Sequence, residues 1–191
     1  MRRTIWLALS AAFALMALTA CMSDDNESTR GEGRAAALVA VGPQSSEMQL
    51  TIEGVTPPGQ AIEVLSYSWG LEGPPGGVPS FNNLNITKTI DDTSPKLFEF
   101  LATGRSIPRA ELKLYISIGG RAPVNYATYL LEPASIRSVL NAGAAQGAAV
   151  PTEELALSYG KVRQTLRTPD SAGNQTTPVI FGWDLVARRP Y

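Results

Sequence analysis

Histidine occurs nowhere in the 191 residues. Its absence removes the commonest general base, every Ser-His-Asp or Cys-His arrangement, and most zinc sites. Cysteine occurs once, at Cys21, so no intramolecular disulfide can form even in an oxidising compartment. Charged residues make up only 17%, with 16 basic against 17 acidic side chains, so no polyanion-binding surface is indicated. Nucleic acid is therefore not expected as a partner. GxSxG, P-loop and GxGxxG spacings are missing as well. What is present is an apolar fraction of 44%, enough to bury a core, in a length that suits one domain plus a leader.

The leader is the most legible segment. Arg2 and Arg3 form a short basic start, the run from Ile5 to Leu18 is apolar and uncharged, and Leu18-Thr19-Ala20 puts small residues ahead of Cys21. That order reads as a secretory signal, and the apolar run is too short for a permanent membrane span. Leu18 to Cys21 resembles a bacterial lipobox, in which the cysteine is lipid-modified and becomes the first mature residue. The expectation is a signal peptide over residues 1–20 and lipid attachment at Cys21. The product would be exported, either as an outer-membrane lipoprotein or as a periplasmic or extracellular protein. Cleavage there removes two arginines, leaving 14 basic against 17 acidic side chains and a net charge of about −3. Residues 21–34 are polar, with Asp24, Asp25, Glu27, Arg30, Glu32 and Arg34, and read as a flexible tether. One domain is expected over residues 35–191.

Within that domain the dominant period is two, the mark of half-buried strands. Met48, Leu50 and Ile52 alternate with Gln49, Thr51 and Glu53. Ala61 to Trp69 forms a second run, and Leu84 and Ile86 alternate with polar neighbours. From Ala110 to Ile118, Leu112, Leu114, Ile116 and Ile118 oppose Glu111, Lys113 and Ser117. Gly119-Gly120 then turns the chain, and Val124 to Leu131 returns as a hairpin partner. Leu155–Leu166 and Val179–Ala187 add two more strands. One helix interrupts the pattern: Ser94 as N-cap, Pro95 at the first helical position, Leu97, Phe98 and Leu101 on one face, and Gly104 placed for the C-cap.

Candidate chemistry is thin. Ser158-Tyr159-Gly160-Lys161 matches S-x-x-K, but on a strand positions three apart point to opposite faces, and the companion motifs are absent. Asp91-Asp92 and Glu153-Glu154 are adjacent pairs, which seldom converge on one metal or one glycosidic bond. The two aspartates are read as complementing the dipole at the helix start. Three Asn-x-Ser/Thr triplets, at Asn26, Asn85 and Asn174, carry no argument. No catalytic residue, metal site or cofactor is expected.

IEVLSYSWG over Ile62–Gly70, DDTSPKL over Asp91–Leu97, EELALSYGKV over Glu153–Val162 and FGWDL over Phe181–Leu185 together resemble strings of the haemolysin-coregulated protein (Hcp) family of type VI secretion systems. Ile62 to Gly70 (IEVLSYSWG) is similar to a strand near the start of those proteins. Ile86-Thr87-Lys88, followed by Asp91 to Leu97 (DDTSPKL), is similar to their strand and helix start. Thr103-Gly104 through Ala110-Glu111-Leu112, Glu153 to Val162 (EELALSYGKV) and Phe181 to Leu185 (FGWDL) match further family strings, in order, over about residues 48–188.

The resemblance implies a mainly β fold, a small barrel of two sheets with one short helix packed on its side. It implies a non-enzymatic subunit that forms a homo-hexameric ring, with rings stacking into a tube and with spike, sheath or effector proteins as partners. Tyr67, Trp69 and Trp183 are read as core or barrel-wall aromatics. Which residues close the ring is not readable from one sequence. The export signal, the tether and the prolines of the Glu72–Ser80 loop depart from the family pattern. They leave a second reading open, an envelope-anchored binding module with the same fold, reaching the membrane through Cys21.

Overall fold

The period-two segments become strands, wholly or in part, in the computed structural model, which describes residues 44–143, 150–170 and 174–191; the last, expected to reach Ala187, ends at Asp184 and gives way to a turn over residues 185–188. The leader, Cys21, the tether and the expected start of order at Ala35 or Leu38 lie outside those residues. Among the described residues the strands are β1 (Gln44–Ile52), β2 (Ile62–Glu63), β3 (Ser66–Ser68), β4 (Leu71–Glu72), β5 (Ser80–Phe81) and β6 (Leu84–Thr89). After helix α1 (Ser94–Ala102) come β7 (Ala110–Ile118), β8 (Val124–Ala142), β9 (Thr152–Leu166), β10 (Val179–Asp184) and β11 (Arg189–Pro190).

Nine strands form one antiparallel sheet, in which β11-β10-β9-β8-β7-β1-β2 run side by side and β6 joins β9 and carries β3. The β4–β5 pair stands apart and holds the Pro/Gly-rich loop. The long β8–β9 hairpin is the frame. Its proximal half pairs with β7 on one side and β10 on the other, and its distal half pairs with β6. β8 runs well past the expected Leu131, to Ala142, because its whole length finds a partner in β9.

The expected barrel does not close as a continuous ladder. The strand predicted over Ala61–Trp69 divides, its start pairing with β1 and its end with β6. Two single hydrogen bonds bridge the division, from Val64 N–H to Met48 O at 3.0 Å and from Leu65 N–H to Thr87 O at 2.8 Å. A strand that switches partners in mid-course leaves a seam where a barrel would have a ladder.

The inner face is filled by Leu50, Ile52, Leu84, Ile86, Leu112, Leu114, Leu131, Leu155 and Leu157, all essentially inaccessible to water. The alternation of β7 fails beyond Leu114. Its register against β8 shifts there, because Tyr126 on β8 is an extra residue between the partners of Leu114 and Tyr115. A bulge re-aims the residues beyond it. Ser117 is buried, its hydroxyl bonded to the Arg121 carbonyl, while Ile116 and Ile118 are half-exposed.

Helix α1 buries Leu97 and Phe100, with Leu101 partly covered, whereas Phe98 is 40% exposed. Leu97 and Phe100 stand three apart on one face, and Phe98 is rotated off it by about 100°. The helix ends in a Schellman motif: Gly104, at φ +61°, donates to Leu101 O, and Arg105 donates to Phe100 O at 3.0 Å.

Candidate functional site

The same alternation that buries Leu84 and Ile86 carries Lys88 to the inner face, and on β9 it carries Glu153 inward with Leu155 and Leu157. Both charged side chains are fully buried. Register places them directly opposite each other, Lys88 against Glu153. The lysine ammonium lies 3.1 Å from Glu153 Oε1 and 3.0 Å from Asp91 Oδ1, and donates to Thr89 O at 2.8 Å.

Ser94, the first residue of α1, completes the cluster. Its hydroxyl donates to Glu153 Oε1 at 3.1 Å and accepts from Lys88 Nζ at 3.2 Å and from Asp91 N–H at 3.1 Å. Ser94 is therefore not the helix cap; Thr93 occupies that position and makes no side-chain cap bond. Asp91 likewise does more than face a dipole. It accepts from the Thr93 N–H at 2.8 Å and from the Thr93 hydroxyl, and pairs with Lys88. Burial raises its pKa, but the bonds from Thr93 and Lys88 outweigh burial and hold the carboxyl below its ordinary range. The arrangement binds β6, β9 and the start of α1 to one point.

Sequence reading did not find this cluster, although the signal was there. Continuing the alternation Leu84, Ile86 by one step reaches Lys88, and stepping back from Leu157 and Leu155 reaches Glu153. Both lie in the strings that resemble the family.

A second grouping is aromatic. Trp69 packs edge-on to Tyr129 at 5.5 Å and tilted to Phe181 at 6.5 Å, while Phe81 stacks on Trp183 at 6.1 Å. The indole N–H of Trp69 donates to the Tyr159 hydroxyl, which donates to Asn82 O at 2.9 Å. Burial, together with the Tyr129 hydroxyl 3.4 Å away, pushes the Tyr67 phenol well above its usual range. Tyr67, Trp69 and Trp183 are thus wall aromatics, half-buried against the core. Beside them Val78, Pro79, Phe81, Trp183, Leu185 and Arg188 line an open hollow of about 420 Å³.

The catalytic motifs considered above are engaged elsewhere. Ser158 donates to Ser135 O at 3.4 Å, and Lys161 pairs with Asp184 at 3.3 Å. Glu153 is buried and its neighbour Glu154 exposed, on opposite faces of β9. Among the described residues no three His, Cys, Asp or Glu side chains are grouped to hold a metal ion.

With the interior packed, the other face of β7, β8 and β9 is polar. Glu111, Lys113, Tyr115, Thr128, Arg163 and Thr165 line a shallow hollow there.

The family model for the type VI secretion system effector Hcp matches residues 59–166, more than half of the chain. The chain belongs to the Hcp family. It is 29% identical over 104 residues to Protein hcp1 of Pseudomonas aeruginosa, a match covering 54% of this chain and 63% of that relative, less than two thirds of its length. Among solved structures, Hcp1 from Salmonella typhimurium superposes with a TM-score of 0.62 at 26% identity, covering 76% of this chain and 99% of that one. A structure described as a type six secretion system protein reaches a TM-score of 0.69 at 21% identity, with 77% and 100% covered, which shows a shared fold. This chain thus contains nearly the whole of an Hcp fold, and the strings that suggested the family in sequence fall mostly inside the matched span.

Proposed function

We propose that this chain is a non-enzymatic, ring-forming structural subunit of a type VI secretion apparatus, or of one derived from it. In this reading six copies close a ring, and rings stack into a tube that meets spike, sheath or effector proteins. The observation that carries the reading is the family match across residues 59–166, with nearly all of a solved Hcp chain covered by the fold.

The physics of the subunit supports it. The space enclosed by the sheet is packed with Leu, Ile and Val side chains, so a channel wide enough for cargo would have to form between copies. A heterologous contact whose rotation closes gives such a ring. The polar face of β7, β8 and β9 is of the kind that can line a water-filled space.

Export belongs to the same proposal. Cleavage before Cys21 and lipid attachment there would hold the domain on the envelope through residues 21–34, on the outer membrane or in the periplasmic or extracellular space. Sedimentation of the purified protein at micromolar concentration, without added metal or nucleotide, tests the ring. The expected result is a six-copy species, seen as annular particles by electron microscopy. Monomer throughout that range would overturn it and favour the envelope-anchored binding module.

A further inference from the structure

We propose that the hollow between the β4–β5 loop and the turn after β10 binds a small monoanion with a flat apolar body, of the class of arylalkyl carboxylates. A free aromatic acid and the aromatic C-terminal residue of a peptide both offer that chemistry. The site goes beyond the ring reading and does not depend on it.

Its walls come from two segments distant in the chain. Val78, Pro79 and Phe81 stand on one, and Trp183, Leu185 and Arg188 on the other, around about 420 Å³. Small-ligand sites begin at roughly 300 Å³ and are mostly apolar, with a few polar groups that fix orientation. The rings of Phe81 and Trp183 lie 20° from parallel with centroids 6.1 Å apart, and both are half-buried. Such a pair offers a surface on which another flat ring can pack.

The loop wall is ordered in advance. At its base Leu71 pairs with Phe81 and Glu72 with Ser80. Within it the Gly77 N–H donates to Pro74 O at 2.9 Å, and a Cβ on Gly77 would collide with the Pro74 ring. Pro74, Pro75 and Pro79 fix further dihedrals. A wall already held in shape loses little freedom when a ligand enters. No residue from Gly73 to Asn83 is charged.

Arg188 is the only charged residue lining the hollow. It is also the one non-glycine residue at positive φ among the described residues, at +53°. Side chains adopt that conformation at a cost, and ligand clamps are among the places where such strain is kept. Asp184 shapes the turn that imposes it. Its Oδ1 accepts from the N–H groups of Val186 and Ala187 at 3.0 and 2.8 Å, and its Oδ2 pairs with Lys161 at 3.3 Å. The carboxylate nearest in sequence is therefore engaged elsewhere. Among the described residues no carboxylate forms an ion pair with Arg188. A planar guanidinium matches the two oxygens of a carboxylate. One cation beside uncharged walls suits one negative charge, and a polyanion would bring charges that nothing there could pair.

Anilinonaphthalene sulfonate, a flat aromatic monoanion that fluoresces when it leaves water, reports occupancy in the purified protein. The parent should bind it saturably. Arg188→Gln should weaken binding by about tenfold, with unchanged circular dichroism and melting. Val78→Asp, which puts a negative charge on an exposed part of the wall, should weaken it at least as much. Arg189→Gln removes the neighbouring charge, which does not line the hollow, and should bind like the parent. Phenylpropionate should displace the dye and phenylpropionamide should not. A peptide ending in phenylalanine with a free carboxylate is the last competitor. If it displaces the dye at lower concentration than phenylpropionate, the site takes a chain end; the reverse order assigns it to a free acid, and both orders support the site. Arg188→Gln binding the dye as the parent does overturns the proposal, as does equal displacement by acid and amide. Equal weakening by Arg188→Gln and Arg189→Gln overturns it too, because the effect is then one of general charge. A parent without saturable binding overturns the site and leaves the ring reading standing.

Discussion

Lys88 and Glu153 are both fully buried and directly paired, so removing either one takes from the other its buried charged partner. Breaking a buried pair from one side costs about 3–5 kcal/mol, because an uncompensated charge is left in a poor solvent. Lys88→Met nearly conserves volume and leaves Glu153 and Asp91 facing each other without their cation. Glu153→Leu leaves Lys88 with Asp91 as its one charged partner, beside the Thr89 carbonyl and the Ser94 hydroxyl, and removes the acceptor of that hydroxyl. Each single variant should therefore lose about 3–5 kcal/mol, a large share of a total near 5–15 kcal/mol. The double variant Lys88→Met with Glu153→Leu removes both charges into an apolar neighbourhood and should recover most of that loss. A shortfall of about 1–3 kcal/mol is expected, because the Ser94 hydroxyl loses its acceptor and Asp91 loses its cation. Urea unfolding at neutral pH, followed by circular dichroism with the slope of the transition checked for constancy, measures all three. Single variants within about 0.5 kcal/mol of the parent, or a double variant whose loss is the sum of the two, would refute the coupling.

Leu114→Ala removes a side chain that is almost fully buried, and should cost about 2–5 kcal/mol in the same assay; an unchanged midpoint would mean the inner face of β7 is misassigned. Asp91 is held below the ordinary carboxylate range, so its contribution is present above the unfolded value of about 3.9 and lost as pH falls through the lower folded value. Asp91→Asn should accordingly lower stability at neutral pH and flatten the loss on acidification, the two curves converging at low pH; parallel curves would contradict this. Cys21→Ser should abolish uptake of labelled fatty acid, and a parent that takes up none would remove the lipid anchor from the proposal.

The strands were legible because one face is buried and the other wet, which forces a period of two that survives in the residues themselves. Leu112 and Leu114 on β7 and Leu50 and Ile52 on β1 follow from that constraint alone, and the turn at Gly119-Gly120 from two adjacent glycines free to take positive φ. The helix was legible from its ends, Pro95 and Gly104, more than from its faces: Phe98 and Phe100 are equally apolar, and only packing distinguishes them. The family strings were legible for the same reason as the strands, being largely strands with their turns.

Tertiary structure decided everything that depends on partners distant in the chain. Lys88 and Glu153 lie 65 residues apart, and nothing local says that β6 and β9 will set them opposite. The bulge at Tyr126 exists only in the pairing of β7 with β8. The seam left by the strand over Ala61–Trp69 arises because its two halves find different neighbours, β1 and β6, which no periodicity records. Composition and alternation determine which residues seek the interior. Register, a property of two strands and never of one, determines which of them meet.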